Sequence, residues 1–297
     1  MNLNIPSPIT KINSNFLDKK CIQIFIKRDD LIHNIISGNK WRKLKHNLIK
    51  MQAKGYDSIL SFGGQYSNHL HALGYVANNL GFNSIGVIRG VGKSSLSGTL
   101  SFCQDQNMQF HYMDYKTYRH KKYDNKTLSM LRDKFGDFYF LPEGGANYLG
   151  VKGCVEIVDE IEVNFDYLCC AVGTGCTAAG LISAICENQN FIGFCPFNKC
   201  FEQEQSILNL CPNIPRNNWQ LISDNHFNGF GKINSNLIKF VRRFYDDFNI
   251  KLDLIYMGKL FYSLFELIKQ DYFIKNTTIM VVNSGGLQGL DGFNFKY

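Results

Sequence analysis

Residues 167–186 read YLCCAVGTGCTAAGLISAIC, and the order of residue types in that window decides the fold. No charge interrupts it over a length that, as one helix, would span a membrane. Gly173, Gly175 and Gly180, with Thr174 and Thr177, fit a strand, a tight turn and a helix better. We read 167–172 as a buried strand and 176–186 as a helix. Free backbone N–H groups at such a turn make an anion cradle, and small residues let the backbone approach a phosphate. The loop partly mimics a dinucleotide fingerprint, which calls for an acid about 20 positions on, at the end of the next strand. Gly193-Phe194-Cys195-Pro196 stands there instead. That disfavours a nicotinamide and leaves two readings, a monophosphate cradle or close helix–strand packing without a ligand.

Working outward, the same alternation fills the chain. Residues 40–54 place Trp41, Leu44, Leu48 and Met51 at three- and four-residue spacing, predicting a helix stopped by Gly55. Strands at 58–62, 84–88, 109–113 and 138–141 alternate with helices at 67–80, 97–107 and 117–135. A glycine-rich connector, PEGGANYLG (142–150), suggests a domain boundary. Beyond it we expect helices at 151–161, 202–210, 233–248 and 258–269, and strands at 191–195, 219–222, 254–257 and 278–283. Alternating strands and helices argue for an α/β protein with open, mostly parallel twisted sheets and flanking helices, its cleft at the strands' C-terminal ends.

The bulk properties agree. At roughly 150 residues per domain, 297 residues suggest two domains or one large α/β unit. With 45% hydrophobic and 19% charged residues the chain has ample core material, which excludes disorder as its main state. The net charge of +7 is spread along the chain. Its densest basic run, Arg119-His120-Lys121-Lys122, lacks the interleaved aromatics of a nucleic-acid groove, so no nucleic-acid partner is expected. Ten cysteines form no C-x-x-C pair and no zinc-like spacing, so no metal site is expected. The stretch MNLNIPSPITKIN (1–13) has neither a basic n-region nor an apolar h-region. We expect a cytoplasmic protein with reduced thiols and no membrane partner.

Three further loops carry reactive groups. In Ser37-Gly38-Asn39-Lys40-Trp41-Arg42-Lys43, a lysine opens a helix whose dipole favours anions, and Lys40 and Lys43 share a helix face. One lysine suits a Schiff base and the other a phosphate, although ordinary surface lysines give the same pattern. In Gly63-Gly64-Gln65-Tyr66-Ser67-Asn68-His69 a strand runs through Gly-Gly into a helix. Its free N–H groups suit a carboxylate, and plain capping by Ser67 explains it equally. Asn283-Ser284-Gly285-Gly286 ends the last strand and sets a hydroxyl at the cleft edge, or forms a simple turn. Tyr256 ends the strand before it, as a cleft residue or a core aromatic.

Taken in order, KRDDL (27–31), GNKWRKL (38–44), GGQYSNH (63–69), PEGGAN (142–147), GTGCTAAGL (173–181), YMGK (256–259) and NSGG (283–286) resemble one enzyme group. These motifs are similar to those of the pyridoxal-phosphate enzymes of the tryptophan-synthase-β type (fold type II). The branch is the one containing 1-aminocyclopropane-1-carboxylate (ACC) deaminase and D-cysteine desulfhydrase. The resemblance implies a large cofactor domain of residues 1–44 and 147–297, an inserted domain of residues 45–146, and pyridoxal 5'-phosphate in the cleft between them. It implies that Lys40 is the Schiff-base lysine and that Lys43 helps hold the phosphate. Gly173, Thr174, Gly175, Cys176 and Thr177 would form the phosphate loop, and Asn68 would meet the phenolic oxygen. Ser67, with Tyr66, Asn68 and His69 beside it, would receive a small amino-acid substrate, and Lys40, Ser67 and Tyr256 would carry catalysis. Ser284 and Met257 would stand at the pyridine nitrogen. ACC deaminases resemble Y-E-G-K where Met257 stands, and D-cysteine desulfhydrases resemble Y-T-G-K and H-T-G-G. Glutamine is usual in both at Tyr66. The absent acid favours β-elimination from D-cysteine over opening of the ACC ring. A serine or threonine dehydratase, a racemase, and a phosphate-ligand-binding protein of the same fold are the alternatives. A homodimer is expected.

Overall fold

Parallel strands covered on both faces read as continuous apolar runs, and the two central strands of the larger sheet do so. In β7 (Tyr167–Ala171), Leu168 and Cys170 enter one core, and Cys169 and Ala171 the other. In β10 (Thr278–Val282), Met280 and Val282 face the first core, and Ile279 and Val281 the second. The period of two thus feeds two apolar layers from one strand. The computed structural model describes residues 1–92, 95–214, 217–293 and 295–297.

The larger sheet is completed by β1 (Ile9–Ile12), β2 (Gln23–Lys27), β8 (Asn190–Phe194) and β9 (Trp219–Ile222), in the order β1-β2-β10-β7-β8-β9. Only the β1–β2 pair, joined by the short helix α1 (Asn15–Lys20), is antiparallel. A second sheet, wholly parallel, has the order β5-β4-β3-β6 from β3 (Ser58–Gly63), β4 (Asn83–Arg89), β5 (Gln109–Met113) and β6 (Tyr139–Phe140). Two open, mostly parallel sheets with flanking helices are therefore the architecture.

The helices follow the alternation: α2 (Asn39–Ala53), α3 (Asn68–Leu80), α4 (Gly98–Asp105), α5 (Tyr115–Lys121), α6 (Asn125–Phe135), α7 (Tyr148–Asp159), α8 (Cys176–Ala184), α9 (Phe201–Leu210), α10 (Ser235–Phe248) and α11 (Met257–Lys269). Ser67, Ser97, Asn147 and Asn234 cap α3, α4, α7 and α10 by accepting a first-turn N–H. In α10, Leu237, Val241 and Phe244 fall on one face and are buried.

Three expectations are corrected. The single helix at 117–135 is two helices, because a turn at 122–124 ends α5 and α6 restarts after Asp124. Residues 254–257 are not a strand. The buried Asp253 carboxylate accepts the N–H groups of Ile255 (2.8 Å), Tyr256 (2.7 Å) and Met257 (3.0 Å), which winds this apolar run into a turn leading to α11. The connector at 142–150 holds a short 3-10 turn, Glu143–Gly145, and the first turn of α7.

A four-charge buried network seats α2. Arg42 donates to Asp29 (3.0 and 3.2 Å) and to Glu160 (2.5 and 2.8 Å). Lys27 donates to Glu160 (2.8 Å) and to the Ser7 carbonyl (2.6 Å), and the Ser7 hydroxyl donates to Asp29 (2.6 Å). Two cations meet two anions, so the cluster is neutral, and its partners come from β2, the turn after it, α2 and the C-terminal cap of α7. Because Arg42 lies between Lys40 and Lys43, this network holds the helix turn that presents both lysines.

Candidate active site

A cleft of about 1020 Å³ opens where the N-termini of α2, α3 and α8 converge. Of the fourteen residues singled out from sequence, twelve line it: Lys40, Lys43, Tyr66, Ser67, Asn68, His69, Gly173, Thr174, Gly175, Thr177, Tyr256 and Ser284; Met257 is buried and does not line it. Nor does Cys176. Its thiol is buried and turned to the carbonyls of Gly145 (3.6 Å) and Asn147 (3.9 Å), so only its backbone belongs to the loop.

The β7–α8 loop has features that fit an anion. Gly175 has a φ of +82°, which lets the chain turn sharply, and α8 begins without a side-chain cap. The Thr174 hydroxyl is buried and has no hydrogen-bond partner among the described residues. The buried Lys43 has no carboxylate within ion-pair distance among them. Thr177 Oγ1 accepts from Asn39 Nδ2 (2.8 Å), tying this loop to the start of α2. An unpaired ammonium, an orphaned hydroxyl and open helix N–H groups fit a phosphate dianion.

Lys40 sits half-buried at the opening of α2, and its ammonium donates to Asn39 Oδ1. Gly38 makes that position reachable: its φ is +72°, and a Cβ there would lie 1.7 Å from the Ser284 carbonyl oxygen. Burial, and then the charge of Lys43, bring the Lys40 amine down to about 7. A substantial neutral fraction near neutral pH makes it a competent nucleophile and base.

On α3, Ser67 Oγ accepts the Leu70 N–H (3.2 Å), which leaves its own O–H free to donate into the cleft. Capping and ligand binding are therefore compatible. Asn68 Oδ1 accepts from Gln288 Nε2, which fixes the amide's orientation. His69 is buried beside Lys43 with Nε2 2.8 Å from Ser61 Oγ, while Nδ1 has no partner among the described residues. Burial, with Lys43 and Lys40 nearby, brings it down to about 3, so it is a neutral imidazole. Tyr66 is exposed, its ring against Gly292.

On the opposite wall, the Ser284 hydroxyl reaches Met257 Sδ (3.7 Å), which joins two residues from YMGK and NSGG at one spot. Burial pushes the Tyr256 phenol up, so it stays protonated. Asp253, missed in the sequence, is buried on the cleft floor; burial raises its carboxyl against three N–H hydrogen bonds and the Lys40 charge. Asn39 and Gln288 were also missed. The only signal for Asp253 was an acid ahead of the apolar run 254–257.

Among the described residues no group of three or more His, Cys, Asp or Glu side chains is placed to hold a metal. No helix among them is long and apolar enough to cross a membrane.

Two parallel sheets with a lysine, an anion loop and an amide-bearing loop converging on one cleft define a pyridoxal-phosphate enzyme fold. The family model described as "Pyridoxal-phosphate dependent enzyme" matches residues 2–285, and the chain belongs to that family. Within it the chain is of the ACC deaminase/D-cysteine desulfhydrase type. It is 31% identical over 284 residues, covering 90% of this chain and 85% of the relative, to a Pyrococcus horikoshii protein named "Putative 1-aminocyclopropane-1-carboxylate deaminase". It is 26% identical to the Arabidopsis thaliana mitochondrial "Bifunctional D-cysteine desulfhydrase/1-aminocyclopropane-1-carboxylate deaminase", covering 97% of this chain and 78% of that one. A crystal structure of an ACC deaminase homologue superposes with a TM-score of 0.84 at 28% identity, covering 98% of this chain and 92% of the other.

Proposed function

We propose that the chain catalyses β-elimination from a small D-amino acid, with D-cysteine the first candidate. Bound pyridoxal phosphate supplies an electron sink for the substrate's α-carbon. Lys43, Thr174, Thr177 and the N–H groups of the β7–α8 loop would hold its phosphate, Asn68 its phenolic oxygen and Ser284 its ring nitrogen. Ser67 and the adjoining N–H groups would take the substrate carboxylate. Lys40, whose amine is brought down to about 7 and so has a substantial neutral fraction near neutral pH, would remove the α-proton. Tyr256, a neutral phenol, would offer a hydrogen bond to the departing thiolate.

The observation that carries the reading is the Ser284 hydroxyl on the cleft wall, 3.7 Å from the Sδ of the buried Met257. A hydroxyl and a thioether at that spot offer no carboxylate to protonate the ring nitrogen. A weaker electron sink suits prompt expulsion of a β-leaving group over a long-lived carbanion. The names of the relatives favour ACC deamination as the second reading. Steady-state assays with D-cysteine, L-cysteine, D-serine and ACC, reading sulfide, ammonia, pyruvate and 2-oxobutyrate, separate the two. Sulfide and pyruvate from D-cysteine are expected; robust 2-oxobutyrate from ACC with no sulfide would overturn the proposal.

A further inference from the structure

Three aromatic rings line one side of the cleft in a row. Phe197 and Phe230 stack at 5.4 Å with 13° between planes, and Phe230 meets Tyr256 edge-on at 5.9 Å. Phe230 is 46% exposed although it lies inside the cleft wall. An aromatic ring left wet in a ligand cleft is apolar surface held ready for a partner.

The segment carrying Phe230 is fastened from below. Lys259 is 3% exposed, and its ammonium donates to the carbonyls of His226 (2.8 Å) and Gly229 (2.9 Å). Phe227, in the same segment, packs edge-on against Tyr262 at 5.0 Å. The wall is therefore anchored before any ligand arrives. With Lys259 turned to those carbonyls, its charge is spent on the backbone, and the rings present an apolar face. At about 1020 Å³ the cleft stands at the top of the range for drug-sized ligands, ~300–1,000 Å³.

We propose that Phe197, Phe230 and Tyr256 form a subsite for an aromatic or apolar group on the substrate's sulfur, making S-substituted cysteines the substrate class. This rests on the β-elimination reading and extends it. The α-proton passes to Lys40, the Cβ–S bond breaks with its electron pair on sulfur, and the thiolate takes up a proton. Water then releases the remaining three carbons, so that the S-substituted cysteine and one water give the free thiol, pyruvate and ammonium.

The test uses the holoenzyme and both enantiomers of S-benzylcysteine and S-methylcysteine, which differ only in the group meant for the wall. Binding is read from the cofactor's absorbance and turnover from released thiol. The benzyl compound should bind roughly three- to tenfold more tightly than the methyl compound, as one aromatic contact allows. In Phe230→Ala that ratio should fall toward one, and in Phe230→Leu it should fall part of the way. Equal constants in the wild type, or a ratio unmoved in both variants, overturns the subsite. Preferential benzyl binding without thiol release keeps the subsite and overturns β-elimination. Sulfide from D-cysteine without any benzyl preference does the reverse.

Discussion

Replacing Glu160 with glutamine removes one of the two anions from the buried network under α2. The Glu160 carboxylate accepts from Arg42 Nη1 (2.5 Å), Arg42 Nη2 (2.8 Å), Lys27 Nζ (2.8 Å) and the Ser7 N–H (3.2 Å). Burial pushes its carboxyl up, but the hydrogen bonds and charges of Arg42 and Lys27 outweigh that and hold it at about 2 against an ordinary 4.5. This displacement corresponds to about 3 kcal/mol of native stability. The side chain is only 14% exposed, so solvent screening removes little of it. Breaking a buried pair by removing one partner costs about 3–5 kcal/mol, in line with this value.

The pH dependence follows from a depressed carboxyl. Its contribution is fully present above 4.5 and is lost as pH falls through about 2. Roughly 2 kcal/mol of it is gone by pH 3. Glu160→Gln lacks the contribution at every pH, so the two proteins should differ by about 3 kcal/mol at pH 7 and about 1 kcal/mol at pH 3. Urea unfolding of both proteins at both pH values, with cofactor at one fixed concentration, measures the gap. A gap under about 1 kcal/mol at pH 7, or one that does not shrink at pH 3, refutes the reasoning.

Lys40→Ala should lose the borohydride-reducible yellow band, and borohydride labelling of the wild type should map to Lys40 and to no other lysine. Gly175→Asp sets a carboxylate against the phosphate and crowds Ile207 Cγ1 and Gln203 O, each within 3.3 Å of a Cβ there. It should weaken cofactor binding at least tenfold more than Gly175→Ala does, and equal affinities in equilibrium dialysis would place the cradle elsewhere. His69, held down at about 3, should show an unchanged imidazole NMR shift from pH 8 to pH 5, whereas a titration near 6.5 would mean that burial does not keep it neutral.

The elements legible in the sequence are those whose determinants lie close together along the chain. The β7–α8 loop is an apolar run, three small residues and a helix, so 167–186 pointed to the parallel sheet and to a candidate anion cradle. Lys40 with Lys43, and Ser67 with Asn68, were legible for the same reason: each pair sits on one helix turn. The run 254–257 misled because four apolar residues fit a strand locally, and the Asp253 side chain, not periodicity, turned them. Tertiary structure alone decided the rest. Arg42 meets Glu160 across 118 positions, and Asn39 meets Thr177 across 138. Ser284 reaches Met257, and the stack of Phe197 on Phe230 exists only because consecutive loops at one sheet edge fold together. Neither spacing nor hydropathy records such contacts. The Arg42–Glu160 pair forms where α2 packs against α7, and the contacts around the cleft arise because parallel strands bring their C-terminal ends to one edge, where side chains become neighbours through the sheet and not through the chain.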